Sequence, residues 1–538
     1  MSQPRSVLSG KGALGDFTAT PRMVVIAAIA AGIGVVGAVL ALLLLRLIAF
    51  CTNLFFFQRF STVTVSPADR HLGPWVMVVP VIGATIVGLM ARYGSERIRG
   101  HGIPEAIESI LMRGSRAEPK LVVLKPLSAA ISIGSGGPFG AEGPIIMTAG
   151  SLGSMIAQFV HLTDAERKTL LVSGAAAGMS ATFAAPLAAT LLAVELLLFE
   201  WKPRSLVPVA MASITAYTAR QFLLGPGPLF PVPVHPAFVG LLGLAACLLV
   251  GLIAGALSAL LTTMVYWSED AFAKLPIHWM WWPPIGGVVV GIGGWIFPKA
   301  LGVGYETIGG LLLGHEAMTI VIGILIVKSV IWAVSLGSGT SGGVLAPLLM
   351  MGGALGALVA PVLPVEGAGF WPLVCMAAVL GGTMRAPFTA VIFGLELTHD
   401  FNALVPLLLA AVAAHAFTVL ALPRSILTEK VARRGFHLSR EYGVDPLEIL
   451  LVRDVMEHAT PDDAVPSVIS ISPSAPLRVA VYRMAETGTT RLCVIDPDEV
   501  GRVLGHVTVA NLLKARVANL DAESRRERHL FLWPSVGT

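Results

Sequence analysis

The stretch GSGGPFGAEGP at residues 134–144 decides the fold of this chain, because it recurs as GSGTSGGVLAP at residues 337–347. The offset between the two copies is 203 residues (337 − 134), and the match continues beyond them, with Gly153 against Gly356. Glycine-rich breaks at matching places in two apolar halves are typical of membrane proteins built from two repeats around a transport site. The stretch therefore predicts two repeated halves that share one site.

A second pair of segments recurs at nearly the same offset. Residues 185–196 begin with Ala-Pro and end with Glu195-Leu196, and residues 386–397 begin with Ala-Pro and end with Glu396-Leu397. Because Glu195 and Glu396 lie in apolar segments and match each other, we expect both to have a structural role, such as capping or bridging helices.

The composition is that of a membrane protein. Hydrophobic residues make up 55% of the chain and charged residues 13%, whereas about 25% of residues are charged in soluble proteins. Uncharged runs long enough to cross ~30 Å of hydrocarbon as helices occur at residues 23–45, 72–91, 238–267 and 402–422. Other apolar runs are shorter and are cut by Gly or Pro, which a bilayer tolerates only where protein or a cavity covers the backbone. We therefore expect many helices of unequal length, some of which stop partway.

Changes in composition divide the chain. A proline-rich stretch at residues 225–236 separates two apolar halves of similar size. We predict an N-terminal tail (1–21), a first membrane half (22–232), a second membrane half (233–422), a last helix with a linker (423–447), a small domain (448–520) and a C-terminal tail (521–538). Basic residues outnumber acidic residues between 423 and 440, which predicts that the C-terminal side faces the cytoplasm. Such a cluster can also bind nucleic acid, but topology is the simpler interpretation and we expect no nucleic-acid partner.

The predicted small domain alternates strand and helix signals. Residues 468–471 and 491–495 are short apolar runs typical of strands. Residues 477–486 and 508–518 have the periodicity of amphipathic helices. A small soluble α/β unit is therefore expected after the membrane part.

The glycine-rich stretches also predict a binding site for an anion. Glycine lets the backbone approach a ligand closely, and Pro144 suits the first turn of a helix, where its missing N–H would be unpaired anyway. The remaining first-turn N–H groups form an anion site without lysine or arginine. Residues 343–347 repeat this arrangement, and residues 100–104 (GHGIP) precede a third predicted helix, 105–112. The alternative, that these glycines only let helices pack closely, is disfavoured by three motifs, two of them in register.

One acidic residue, Glu142, lies inside the first of these motifs. Its carboxylate would compete with an anion for the same donors, and protonation would let it swing away. Because an ionisable residue within a membrane segment is a functional candidate, we expect Glu142 to act as a gate. Glu200 ends an apolar run beside Lys202 and Arg204, and on these neighbours alone it is better interpreted as a surface acid.

With these motifs, the chain resembles the CLC family of chloride channels and chloride/proton exchangers over nearly its whole length. Residues 100–104 resemble the family's GSGIP element, 140–144 resemble GREGP, 343–347 resemble GIFAP, and 425–435 resemble the last membrane helix. The resemblance implies an all-α polytopic membrane protein with an inverted-topology repeat of about 18 helices. It also implies a homodimer with one pore per subunit, located in the cell (inner) membrane, and a C-terminal cytoplasmic CBS domain with an α/β fold.

The resemblance also implies which residues bind the anion: His101, Gly102, Ile103, Gly140, Ala141, Gly143, Val344, Leu345 and Leu427. His101 replaces a serine, and Leu427 a tyrosine, that contact the central anion in the family, and Ala141 replaces the arginine of GREGP. The backbone N–H groups remain, so anion binding is retained while selectivity for chloride is left open. His101 could donate a hydrogen bond when neutral, attract the anion when charged, or be packed away from the pore.

Glu200 gains a possible role from the resemblance. Its place before Trp201-Lys202-Pro203 matches the inner proton-transfer glutamate of the family's exchangers. With the gating residue Glu142, it would provide two stations for protons. The resemblance therefore favours transport of a small inorganic anion, chloride by preference, by antiport with protons, and a voltage- or pH-gated anion channel is the alternative. We expect no enzymatic activity, no cofactor and no metal site.

The C-terminal region resembles a CBS motif at residues 468–486, 491–495 and 505–511. CBS motifs usually occur in tandem, but one full copy is legible here, so two copies could pair across a dimer. Nucleotide-binding examples usually carry Asp where this chain has Asn511. Binding of an adenosine nucleotide and a dimer clamp without a ligand are both open.

A different class of protein fits one short pattern. Residues 339–342 (GTSG) match the GxSG pattern of rhomboid-type intramembrane serine proteases, and His415 lies on a later apolar run, as their base does. Four residues are a weak signal in a chain with 57 glycines, and the repeat already explains the glycines around Ser341. The protease is retained as a distant alternative.

Overall fold

The fold is that of a computed structural model, in which residues 21–70, 72–112, 115–236, 238–433, 447, 450–458, 469–496 and 502–526 are described. The chain divides into two compact units, Met1–Ser439 and Arg440–Thr538. This division falls within the predicted linker, 423–447. The predicted N-terminal tail lies outside the described residues except for Pro21.

The first unit is built from α-helices that form two matching sets. The first half contains α1 (Arg22–Phe57), α2 (Val78–Tyr93), α3 (Ile103–Met112), α4 (Leu121–Gly134), α5 (Glu142–Phe159), α6 (Asp164–Phe183), α7 (Pro186–Leu192) and α8 (Pro203–Leu223). The second half contains α9 (Leu241–Ala273), α10 (Trp282–Ile296), α11 (Tyr305–Leu312), α12 (Met318–Gly323), α13 (Ser329–Gly337), α14 (Leu345–Val359), α15 (Phe370–Met384), α16 (Pro387–Thr398), α17 (Leu404–Ala421) and α18 (Ile426–Arg433).

Two π-helical segments complete these sets: Ala193–Leu198 continues α7, and Ile324–Lys328 joins α12 to α13. The predicted all-α fold with an inverted-topology repeat of about 18 helices is confirmed. The boundary predicted after residue 232 lies between α8 and α9.

The described part of the chain contains six segments long and apolar enough to cross a membrane: Arg22–Phe57, Gly73–Tyr93, Leu241–Ala273, Met318–Gly337, Leu345–Val362 and Phe401–Arg433. Other apolar helices, among them α4, α15 and α16, are shorter. The expectation of helices of unequal length is therefore met. Because the loops before α3 and α5 are buried, the first N–H groups of these helices lie inside the protein.

Glycines bring equivalent helix pairs of the two halves into close contact. A Cβ built on Gly153 of α5 would lie 2.1 Å from the carbonyl oxygen of Leu170 on α6. A Cβ built on Gly356 of α14 would lie 2.2 Å from the carbonyl oxygen of Trp371 on α15. Only glycine permits either crossing, and the two glycines are equivalent positions of the repeat.

The two acids that match between the repeats bridge the halves. Glu396 on α16 accepts hydrogen bonds from the N–H groups of Leu187 (2.9 Å) and Ala188 (2.8 Å) in the first turn of α7. Glu195, in the segment that continues α7, accepts from the N–H (2.8 Å) and the hydroxyl (2.5 Å) of Thr389 in the first turn of α16. Each carboxylate caps the helix that carries the other, and the predicted bridging role is confirmed.

The second unit contains a four-stranded sheet and two helices. Its strands are β1 (Glu457–His458), β2 (Ser470–Ile471), β3 (Arg491–Ile495) and β4 (Val503–Thr508), in the order β1-β4-β3-β2. β3 pairs antiparallel with β4 and parallel with β2. The helices are α19 (Leu477–Thr487) and α20 (Val509–Arg526). Leu477, Leu492, Val494 and Val507 are fully buried in its core.

The second unit agrees with most of its prediction. β3 and both helices lie where the sequence pattern predicts them, while Val468 of the first predicted strand lies outside the described residues. The predicted domain boundary, residue 520, lies within α20, which continues to Arg526. Residues 521–526 contain no Gly or Pro, so nothing in them ends the helix.

Candidate functional site

Two of the predicted motifs are joined by backbone hydrogen bonds. The N–H of Gly140 donates to the carbonyl oxygen of Gly343 at 3.1 Å, and the N–H of Gly343 donates to the carbonyl oxygen of Gly140 at 2.8 Å. The loop before α3 packs against the same place, since a Cβ built on Gly143 would lie 1.8 Å from the carbonyl oxygen of His101. The N-termini of α3, α5 and α14 therefore meet.

Glu142 is the first residue of α5 and is completely buried at this meeting point. Its Oε1 accepts a hydrogen bond from the N–H of Ala346 at 3.1 Å, in the first turn of α14. Among the described residues, Oε2 has no hydrogen-bond partner. A Cβ on Gly343 would lie 2.6 Å from the carboxyl carbon of Glu142, so only glycine leaves room for it. The carboxylate thus occupies a helix N-terminus suited to an anion.

The other predicted residues at these helix N-termini have apolar side chains, so they can offer an anion only their backbone groups. Ala141 precedes α5 and Val344 precedes α14, and both are fully buried. Leu345 and Ile103, the first residues of α14 and α3, are also fully buried. An anion bound here would be held by N–H groups and by the positive ends of the helices.

The N-terminus of α3 is occupied by a side chain of its own first turn. The N–H of Gly102 donates to Oε2 of Glu105 at 2.8 Å, and Oε1 of Glu105 forms an ion pair with Nζ of Lys430 on α18, 2.8 Å away. The sequence predicted that these N–H groups face the anion, and for Gly102 the structure differs, because a first-turn acid reaches back to cap the helix. Glu105 was not among the predicted site residues, although its spacing from Gly102 is that of a capping acid.

His101 lines a cavity of about 560 Å³ next to the start of α3. Only 3% of its surface is exposed, and Nδ1 has no hydrogen-bond partner among the described residues. Glu105, Tyr266 and Lys430 line the same cavity. Because a buried ring nitrogen without a protein partner calls for a ligand or water, this arrangement fits a histidine on the anion path better than one hydrogen-bonded away from it.

The residue predicted to bind the anion from α18 does not line this cavity. Leu427 is fully buried in the hydrophobic core of the first unit. The hydroxyl near the start of α18 comes instead from Tyr266 of α9, which donates to the carbonyl oxygen of Ile426 and lines the cavity beside His101. No sequence signal joins Tyr266 to α18, since 160 residues separate the hydrogen-bonded pair.

A buried cation that was not predicted supports the loop before α3. Nζ of Lys125 on α4 donates to the carbonyl oxygens of Ile98 and Gly100, each at 2.8 Å. The lysine side chain is fully buried. A lysine within an apolar run, repeated 203 residues later (328 − 125) at Lys328, was the signal that could have identified it.

Glu200 lies in the connection before α8 and is surrounded by donors. Ser205 donates its hydroxyl hydrogen to Oε1 at 2.7 Å, Nζ of Lys202 lies 3.1 Å from Oε2, and Nζ of Lys168 lies 3.9 Å from Oε1. Burial raises the pKa of Glu200, but the Ser205 hydrogen bond and the two lysine charges outweigh it, so the pKa lies below its ordinary value. Glu200 is therefore ionised at neutral pH.

The arrangement required for a serine protease is not formed. The hydroxyl of Ser341 is fully buried and is hydrogen-bonded to the hydroxyl of Ser128 at 3.1 Å. Ser341 also pairs through its backbone with Gly100 in an isolated bridge. Its hydroxyl is thus bonded to α4 rather than to His415 on α17, which leaves the serine without the base that a nucleophile requires.

The fold and the site together define a class of protein. It is a multi-pass membrane protein of two inverted repeats, in which helix N-termini from both halves surround a buried carboxylate. The voltage gated chloride channel profile matches residues 82–419, and the CBS domain profile matches residues 452–518. The chain belongs to the voltage-gated chloride channel (CLC) family and carries a C-terminal CBS domain, as its motifs predicted.

Relatives of known name support this membership. The chain is 30% identical over 363 residues to a putative chloride channel protein ClcB-like from Ralstonia nicotianae, covering 64% of this chain and 83% of that protein. It is 29% identical over 373 residues to the H(+)/Cl(-) exchange transporter ClcA of Salmonella arizonae, covering 66% of this chain and 77% of that protein.

Solved structures show the same fold. A slow cyanobacterial Cl−/H+ antiporter superposes with a TM-score of 0.67 at 20% identity, covering 78% of this chain and 99% of that chain. A CLC-type fluoride/proton antiporter superposes with a TM-score of 0.65 at 20% identity, covering 76% of this chain and 98% of that chain.

Proposed function

We propose that this protein carries a small inorganic anion, chloride by preference, across the membrane in exchange for protons. The observation that carries the proposal is the position of the Glu142 carboxylate, which is buried and accepts the N–H of Ala346 at the N-terminus of α14. A relative at 29% identity is named an H(+)/Cl(-) exchange transporter, which supports the same activity.

Exchange follows from competition between the carboxylate and the anion. When Glu142 is ionised, its negative charge is attracted to the positive end of α14 and fills the place of an anion. Protonation removes that charge, so the side chain no longer competes for the N–H group of Ala346 and an incoming anion replaces it. Each anion that enters thus depends on a proton that Glu142 has accepted, and the two movements are coupled.

The remaining site residues have secondary roles in this proposal. Glu200 passes protons from the cytoplasmic side towards Glu142, and His101 lines the anion path on the same side. The backbone groups that surround the path come from Ile103, Ala141, Gly143, Val344 and Leu345. Gly102 and Gly140 shape the path instead, because their N–H groups are bonded to Glu105 and Gly343. Leu427 supports α18 by packing rather than by binding the anion.

An anion channel is the second candidate. The observation that favours it is the pairing of Glu200 with Lys168 and Lys202, which lowers the pKa of Glu200 and makes it a poor proton acceptor at neutral pH. Relatives named as ClcB chloride channels fit this candidate.

The second unit fits a clamp better than a nucleotide site in this proposal. Oδ1 of Asn511 accepts from the N–H (2.8 Å) and the hydroxyl (2.5 Å) of Thr508, and its Nδ2 donates to Glu457 at 2.9 Å. Asn511, which stands where nucleotide-binding examples carry Asp, is therefore hydrogen-bonded to other residues of the same domain. In this proposal the protein is a homodimer in the inner membrane. Its CBS domain faces the cytoplasm, as the basic residues after α17 indicate.

Flux from proteoliposomes tests the proposal. An outward gradient of chloride, fluoride or nitrate should drive inward proton movement, recorded as a pH change, in the wild type. Glu142→Gln should abolish proton movement and retain anion flux, because the amide cannot carry the proton. Glu396→Gln is the matched control, since it alters another carboxylate that caps a helix and should leave coupling intact. Proton movement that persists in Glu142→Gln would contradict the proposal, and anion flux without proton movement in the wild type would establish the channel.

A further inference from the structure

A second cavity, of about 490 Å³, lies at the N-terminus of α11. It is lined by the C-terminal half of α1, by Arg220 near the end of α8, by residues 63–67, and by Lys299 and residues 301–307. Because α11 is the repeat equivalent of α3, and inverted repeats exchange the two faces of the membrane, this cavity lies on the face opposite to the one that His101 lines. We name it the outer cavity.

Positive charge prevails in the outer cavity. Three cationic side chains, Arg46, Arg220 and Lys299, line it with one acid, Glu306. Lys299 is neutralised by an ion pair with Glu316, whose Oε2 lies 2.9 Å from its Nζ. Arg46 is exposed, so solvent screens its charge. The charge that dominates the buried wall is therefore that of Arg220.

The guanidinium of Arg220 lacks a carboxylate partner. Arg220 is 6% exposed, and its Nη1 donates to the carbonyl oxygen of Gly225 at 2.8 Å. Its Nε is buried and has no hydrogen-bond partner among the described residues. Among the residues that the structure describes, no acidic side chain forms an ion pair with the guanidinium of Arg220. A buried cation is costly unless a counter-charge lies beside it, so a bound anion would supply what the protein does not.

A second unpaired donor connects the outer cavity with the gate. The hydroxyl of Tyr305, the first residue of α11, is buried without a hydrogen-bond partner among the described residues, and its side chain lines the cavity. Its ring packs edge-on against Phe183 and Phe230, with ring centroids 6.4 and 6.0 Å apart. Tyr305 also interacts electrostatically with Glu142. Tyr305 therefore borders the cavity and is within electrostatic range of the carboxylate that we propose as the gate.

We infer that the outer cavity is a second anion site, in which Arg220 binds a small inorganic anion before it reaches the Glu142 position or after it leaves. The inference rests on the proposed anion transport and adds to it a second binding site on the transport path. The hydroxyl of Tyr305 provides the next donor on the route from Arg220 to the gate.

Side-resolved flux tests the site. Initial rates of chloride flux are measured against chloride concentration on either face of the membrane, in vesicles of phosphatidylcholine in which one orientation of the protein has been blocked. Arg220→Gln should raise the half-saturating concentration on the outer-cavity face about tenfold and leave the opposite face unchanged. Arg220→Lys should retain most of the affinity, because the charge is kept. Arg46→Gln, which removes an exposed cation of the same cavity, is the matched control and should have little effect.

Three outcomes overturn the inference. An unchanged outer half-saturation in Arg220→Gln shows that no anion binds there. Equal changes on both faces show that Arg220 only supports the end of α8 through Gly225. An effect of Arg220→Gln that occurs only in vesicles containing phosphatidylglycerol shows that a lipid headgroup occupies the cavity.

A binding measurement keeps this inference separate from the proposed function. Isothermal titration with nitrate in detergent, in the Glu142→Gln background, should lose one binding event when Arg220→Gln is added. Binding that is identical with and without Arg220→Gln overturns the site, whether or not flux is coupled. Absence of any anion flux in the wild type would instead overturn the proposed function.

Discussion

Lys125 and Lys328 are equivalent residues of the two repeats, and each binds the backbone ahead of a helix N-terminus in the same way. Both side chains are fully buried. Their Nζ atoms donate to the carbonyl oxygens of Ile98 and Gly100 (both 2.8 Å) and of Ala300 and Gly302 (2.9 and 2.7 Å), respectively. The two lysines therefore hold the loops that line the two cavities, one on each face.

Replacing either lysine by methionine should destabilise the protein. Two buried carbonyl oxygens lose their partner in each variant, at about 1–3 kcal/mol for each oxygen. Lys125→Met and Lys328→Met should each lower the melting temperature in detergent, whereas Lys120→Met, at an exposed position before α4, should not. A melting temperature equal to that of the wild type would show that water replaces the ammonium group.

Glu200→Gln should reduce proton flux about 100-fold with little change in anion affinity, because the amide cannot pass a proton. The pKa of Glu200 is lowered, so the ion pairs of its carboxylate stabilise the protein at neutral pH, and that contribution is lost as pH falls through the lowered pKa. Proton flux is measured against pH on the cytoplasmic face.

Ser205→Ala provides the matched control for Glu200. It removes the hydroxyl that donates to Oε1, so the pKa of Glu200 should rise towards its ordinary value and proton uptake should extend to higher pH. Identical pH profiles for the wild type and Ser205→Ala would exclude Glu200 as the inner proton station. A wild type without proton coupling would remove the role altogether.

His101→Ser should flatten the pH dependence of anion binding and shift selectivity towards chloride. Burial lowers the pKa of His101, while a bound anion would raise it, so anion binding in the wild type should strengthen as pH falls towards the lowered pKa. Calorimetry against pH, extended to more acidic values than those at which histidine ordinarily titrates, measures this dependence. Equal profiles for both proteins would mean that His101 only packs.

Glu396→Gln should lower the melting temperature and preserve transport coupling. The neutral amide loses the attraction of the carboxylate to the positive end of α7, about 1–2 kcal/mol in a partly buried setting. Glu195→Gln should behave alike, because Glu195 caps α16 in the same manner. Loss of proton coupling in either variant, with the fold intact, would assign these acids to transport.

Much of the membrane unit follows from local patterns in the sequence. The uncharged run at residues 238–267 predicts the helix found at α9, and the glycine-rich copies at 134–144 and 337–347 predict loops that meet between the halves. A repeat can be detected in the sequence because equivalent positions of two halves face the same physical constraints, such as the closeness of two helix backbones at Gly153 and Gly356.

By itself, the sequence determined the membrane class, the two repeats and the position of Glu142 in a motif that we predict to bind an anion. Only the tertiary structure decided which charges are paired. Glu105 is paired with Lys430 at the start of α3, whereas Arg220 has no carboxylate beside it in the described part of the chain. Hydrophobic periodicity encodes a helix locally, but the partner of a charge can lie more than a hundred residues away, and packing alone brings the two together.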